Sequence, residues 1–246
     1  MGRTWVVTGG SRGIGRAVVD RALAEGDTVG VLARSVDRES WAPAMRDRVT
    51  PMPADVADLA SVGAAFAGVG PIDVLVNSAG VHRGGRIEQL GDEAWAEVLA
   101  TNLTGAFATS RAALPLLADG GAIVNIGAVV GLRGYPGDVA YGSAKAGLSG
   151  LTQTLAVELA PRGVRVNLVI PGFVDTEMTA GLTATSRATI VDGIPMGRPG
   201  RADEIADVVW AVAGASYMTG ATIPVDGGLM ASFGAPARGR RGPAAR

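Results

Sequence analysis

The chain has 246 residues, 48% hydrophobic and 18% charged, with a net charge of −1 and no cysteine. It can bury one large core, and the lack of thiols removes disulfides, thiolate metal sites and cysteine nucleophiles and suits a reducing compartment, the cytoplasm. No basic face in the main body suits nucleic acid, no segment approaches a membrane span, and "MGRTWVVTGG" is too short in apolar residues for a signal peptide, so neither nucleic acid nor membrane is an expected partner.

The first apolar run, Thr4–Thr8, reads as a strand that leads through "TGGSRGIG" into a helix over Gly13–Glu25, ended by Gly26. Strands follow at Thr28–Ala33 and Val49–Pro53, then a helix at Leu59–Ala67 and a strand at Ile72–Asn77. A long helical pattern covers Asp92–Ala118, followed by a strand at Ala122–Gly127. A helix at Ala140–Leu159 stops before Pro161. The last strands are Arg165–Ile170 and Thr222–Val225, with a helix at Ala202–Ala213 between them. Most of these strands are apolar on both faces, as in a parallel sheet covered on both sides. The alternation predicts an α/β fold: a single doubly wound, Rossmann-type domain with a seven-stranded parallel sheet flanked by helices, spanning 1–234. Two places interrupt the rhythm. Residues 175–201 form a long connection whose Met178, Leu182, Ile190 and Met196 are candidates to cover an apolar substrate. Residues 235–246, "APARGRRGPAAR", read as a disordered basic tail.

Ligands of such sheets bind beyond the carboxyl ends of the strands. Gly9, Gly13 and Gly15 allow a tight turn and close approach of backbone to a pyrophosphate. Ser11, Arg12 and Ile14 complete that loop, and the helix start offers N–H groups to an anion. At the tip of the second strand stand Arg34 and Ser35 with no acid. With Arg12 nearby, this favours the 2′-phosphate of NADP(H) over the free ribose hydroxyl of NAD. Asp55, followed by Val56, is placed either to accept from an adenine amino group or to cap the next helix.

Twenty-one arginines accompany a single lysine, Lys145. It lies in "YGSAK", four residues after Tyr141 and on the same helix face. A phenol ionises near pH 10 and is a poor acid or base at neutral pH unless positive charge lies close. Lys145 and an oxidised nicotinamide would supply that charge, allowing Tyr141 to give a proton to a carbonyl oxygen or to take one from an alcohol. His82, in the loop after the fourth strand, reads as a loop residue. No metal-ligand constellation is apparent.

Residues 3–234 resemble the short-chain dehydrogenase/reductase family, and within it bacterial 3-oxoacyl-(acyl carrier protein) reductases and related ketoreductases. The resemblance rests on "TGGSRGIG", "NSAG" at 77–80, "TNLTGAF", "YGSAK", "IPGFVDTEM" and "PVDGG", in that order. It implies that Asn77, Ala79 and Gly80 belong to the cofactor site, and that Asn102 holds a water linking Lys145 to a proton relay. It also implies that Pro171, Gly172, Val174 and Thr176 line the nicotinamide carboxamide, and that the protein is a homotetramer. The family's serine, thirteen residues before the catalytic tyrosine, is replaced by Ala128. The preceding Gly127 cannot substitute. Losing one such donor costs on the order of 3 kcal/mol, which impairs rather than abolishes turnover. The chain either natively lacks this hydroxyl or carries a Ser→Ala change. The expected activity is NADPH-dependent reduction of a ketone, either a 3-oxoacyl thioester or a polyketide-type or cyclic ketone. Two alternatives remain: a cofactor-binding partner or sensor with little turnover, and a non-redox isomerase or dehydratase on the same scaffold.

Overall fold

A computed structural model of the chain describes residues 2–232, so the tail expected at 235–246 lies outside the described residues. The strands are β1 (Thr4–Thr8), β2 (Thr28–Ala33), β3 (Val49–Pro53), β4 (Ile72–Asn77), β5 (Leu117–Ile126), β6 (Arg165–Pro171), β7 (Val174–Asp175), β8 (Gly200–Arg201) and β9 (Thr222–Val225). Seven of them form one sheet in the order β3-β2-β1-β4-β5-β6-β9, and every pairing is parallel. The helices are α1 (Gly13–Ala24), α2 (Pro43–Arg46), α3 (Leu59–Phe66), α4 (Asp92–Leu99), α5 (Gly105–Ala113), α6 (Val139–Leu159), α7 (Ala184–Asp192) and α8 (Ala202–Gly214).

The two-sided apolarity of the strands has its reason in β1. Trp5 and Val7 enter a core shared with α1 and α8, while Val6 between them enters a second core with α3, α5 and α6. Successive strand residues point to opposite faces, so a strand covered on both sides must be apolar throughout. Chain order runs outward from β1 to one edge and from β4 to the other. The loops after β1 and β4 therefore part, leaving a crevice at the carboxyl ends.

One expectation is corrected here. The helical pattern over Asp92–Ala118 is not one helix: α4 passes through a π-helical turn at Ala100–Thr104 into α5, which ends at Ala113. Pro115 has no N–H to extend the ladder and disfavours helix at Leu114, and Leu117 instead starts β5 opposite Ile72. The excursion at 175–201 is closed at its base by β7 pairing with β8. It carries α7, whose Thr183 accepts from the Ser186 N–H at 3.1 Å and which buries none of its residues.

Candidate active site

A cleft of about 650 Å³ opens beyond the carboxyl ends of the strands. At its cofactor end, β1 delivers the glycine loop. Gly9 and Gly13 adopt positive φ, +65° and +54°, a conformation that a side chain strains. A Cβ on Gly15 would lie 2.4 Å from the Gly9 carbonyl oxygen, so only glycine lets α1 start this close to the strand. No side chain caps α1 and its first turn holds no acid, which leaves the helix N-terminus open to an anion. Ser11, Arg12, Ile14, Arg34 and Ser35 line the cleft beside it. Arg12 and Arg34 are exposed, and among the described residues neither side chain has a hydrogen bond or ion pair.

Asp55 also lines the cleft, above buried Val56. Its Oδ1 accepts from the Ala57 N–H at 2.9 Å. The cap of α3 is Asp58, not Asp55, since Asp58 accepts from the N–H groups of Ala60 and Ser61. Ala79 and Gly80 form the opposite wall, where the buried Thr8 hydroxyl accepts from the N–H groups of Ser78 and Ala79, both at 3.0 Å. Pro171, Gly172, Val174 and Thr176 extend the lining from the end of β6.

Asn77 does not face the cleft. Its amide nitrogen donates to Asn125 at 2.8 Å and to Ser110 at 3.0 Å, and its oxygen accepts from Thr109 at 2.7 Å. It ties β4 to β5 and α5 as a buried polar layer, so its side chain is committed to the sheet rather than to the cleft. The motif match registered a residue type; the strand's alternation decided which way it points.

At the other end Tyr141, Lys145 and Ala128 line the cleft together. Tyr141 stands in the first turn of α6, and the Lys145 ammonium lies 5.6 Å from its ring centre. Lys145 is 5% exposed and donates from Nζ to the Ile126 carbonyl at 2.8 Å. Burial pushes its ammonium down to about 8. Burial, helped by the carboxylate of Asp138, pushes the Tyr141 phenol well above its ordinary value. The chain's own residues thus keep Tyr141 protonated. Lys145 alone does not bring the phenol toward neutrality.

Ala128 has extended backbone, φ −162° and ψ 151°, just before a 3₁₀ turn over Val129–Gly131. Its methyl is all that position 128 presents to the cleft. Gly127 has no side chain to take over, and a Cβ there would be directed at the buried Ile170 side chain, 2.4 Å away.

Asn102 sits in the π-helical turn, 1% exposed. Its amide donates to the carbonyls of Val81 at 2.8 Å and Val98 at 2.9 Å, and its oxygen accepts from the Val81 N–H at 3.2 Å. A Cβ on Gly80 would lie 2.6 Å from that oxygen and 3.9 Å from Lys145 Nζ, so Gly80 lies between the Asn102 side chain and Lys145. The Asn102 side chain is thereby committed to the loop after β4; anything it offers toward Lys145 must come from the backbone of the turn, where π geometry interrupts the helical ladder.

Of the four apolar residues singled out in 175–201, only Met178 reaches the cleft; Leu182 and Met196 are exposed elsewhere. His82, read from sequence as a loop residue, lines the cleft and bonds Asp138 through Nε2 at 2.7 Å. No local signal pairs two residues 56 positions apart.

This is a doubly wound sheet whose crevice runs from a glycine-lined helix N-terminus to a tyrosine–lysine pair. A family profile described as Enoyl-(Acyl carrier protein) reductase matches residues 9–230. The chain belongs to the short-chain dehydrogenase/reductase family of oxidoreductases. Its relatives include the 3-oxoacyl-(acyl-carrier-protein) reductase FabG of Escherichia coli (strain K12), 40% identical over 240 residues, or 93% of this chain and 97% of that protein. The enzyme of the same name from Haemophilus influenzae is 38% identical over 240 residues, covering 94% and 99%. Among solved structures, a short-chain dehydrogenase/reductase from Serratia marcescens BCRC 10948 has a TM-score of 0.87 at 36% identity, covering 93% of this chain and 98% of that one. A blue fluorescent protein from a metagenomic library, solved in complex with NADPH, has a TM-score of 0.84 at 34% identity, with 93% and 98% covered.

Proposed function

We propose that the chain is a cytoplasmic, NADPH-dependent reductase that converts a ketone to a secondary alcohol, with Tyr141 as the proton donor. The relatives' names favour a 3-oxoacyl thioester carried on acyl carrier protein; polyketide-type and cyclic ketones fit the same chemistry. The observation that carries the reading is one continuous cleft joining an uncapped helix N-terminus to Tyr141 and Lys145. The residues fit the cofactor. Gly9 and Gly15 let the loop turn tightly against Ala79 and the start of α1, which side chains there would block, and the side chains of Arg12 and Arg34 stand unpaired where a 2′-phosphate would lie.

A bound nicotinamide supplies the hydride. Tyr141, held as a phenol by its surroundings, gives its proton to the carbonyl oxygen, and the Lys145 ammonium lowers the cost of the phenolate left behind. Lys145, pushed down to about 8, still carries its charge at neutral pH. Ala128 adds no hydrogen bond to the substrate oxygen, so turnover is slow rather than absent. A homotetramer belongs to the same reading, supported by the exposed apolar Phe107 on α5 and Val157 on α6.

The test follows NADPH oxidation against 3-oxoacyl thioesters and cyclic ketones. NADPH should outperform NADH, Ala128→Ser should gain about 10²- to 10³-fold in kcat, and Tyr141→Phe should be silent. Silence of both the parent and Ala128→Ser, with NADPH still bound, would leave a cofactor-binding sensor. Product formed without NADPH consumption would indicate an isomerase or dehydratase.

A further inference from the structure

The only histidine of the chain stands on the cleft wall beside the catalytic tyrosine. The His82 ring meets the Tyr141 ring edge to face, with centres 5.1 Å apart and planes at 75°. Its Nε2 lies 2.7 Å from Asp138 Oδ1, and the Asp138 side chain is only 16% exposed. Asp138 is the N-cap residue of α6, yet its side chain makes no cap bond. An aspartate at that position ordinarily bonds the N–H groups of the first turn; here the carboxylate is turned to the imidazole instead. The other charged groups nearby are accounted for. The Arg83 guanidinium is held in a two-bond pair by Glu97 of α4, at 2.8 Å each, and its Nη1 reaches the His82 carbonyl at 3.1 Å. Lys145, on α6, donates to Ile126.

We propose that His82 and Asp138 are a positioning pair for Tyr141. The imidazole, gripped by the carboxylate, braces the phenol ring, and the charge of the pair sets the pH at which the phenol gives up its proton. The Asp138 carboxylate leaves a negative charge beside Tyr141 that opposes the phenolate, and the imidazole bonded to it offsets part of that opposition. The inference rests on the reading of Tyr141 as the proton donor.

The test is the pH dependence of the reverse reaction, NADP⁺-driven oxidation of a secondary alcohol, whose rising limb follows ionisation of the phenol. Asp138→Asn should move that limb to lower pH by roughly half a unit or more, with KM held within about twofold. His82→Ala should move it to higher pH and lower kcat; His82→Gln, which keeps an N–H for Asp138, should do both to a smaller extent. Limbs that overlay the parent in all three variants, or a rise in KM alone, would overturn the proposal. Phenolate absorbance of the NADP⁺ complex, with Tyr141→Phe as the blank, reads the same shifts without turnover. Failure of every alcohol substrate would therefore count against the proposed reductase activity, whereas an unmoved phenolate titration would count against the pair.

Discussion

Lys145 occupies a place where a charge is expensive. Burial pushes its ammonium from 10.5 down to about 8, so between those values the unfolded chain holds a proton that the folded one has lost. Folding stability therefore rises with pH across that window, the unfolded state binding more protons. Comparing the parent with Lys145→Met by denaturant unfolding at pH 8 and pH 10, the difference should change by on the order of 2 kcal/mol in the parent's favour. A flat difference would mean that the ammonium is not desolvated. The sequence pointed to this residue, as the one lysine among arginines in a tyrosine motif, and to the vacancy at Ala128 thirteen positions before Tyr141. The partnership of His82 with Asp138 was not legible. It is made by two loops brought together only when β4 and β5 lie side by side.

The strands were largely legible, because parallel strands buried on both faces leave apolar runs that few loops imitate. The helices were less so. The pattern from Asp92 continues through the π-helical turn, since periodicity registers which face is apolar and not which carbonyl bonds which N–H. Asn77 shows the same limit at the level of one strand. A motif placed it at the cofactor, whereas its hydrogen bonds hold β4, β5 and α5 together. Asn77→Ala should therefore lower stability by about 1–3 kcal/mol, through the partners left unsatisfied, while leaving the KM for NADPH within about twofold. Thermal melts and initial rates on the same preparation check both. A large rise in KM without loss of stability would return Asn77 to the cofactor site.

The whole molecule follows from chain order. Winding outward from β1 and β4 in opposite directions opens the crevice, and the loops that end there carry Gly9, Ala79, Ala128 and Pro171 to a single cleft. That much can be inferred from alternating elements. Assembly cannot, because an exposed apolar side chain does not name its partner. Phe107, 43% exposed, and Val157, 77% exposed, lie on α5 and α6. If they meet other copies, Phe107→Asp combined with Val157→Asp should shift sedimentation from tetramer to smaller species without unfolding the chain. In the proposed reaction a hydride reaches a ketone carbon in this cleft while Tyr141 supplies the proton. Its most direct measurement uses NADPH deuterated at the transferable position and mass spectrometry of the alcohol product. Deuterium on the carbinol carbon, formed by the parent and by Ala128→Ser but not by Tyr141→Phe, is the predicted result. Product lacking deuterium, or deuterated product made equally well by Tyr141→Phe, would contradict it.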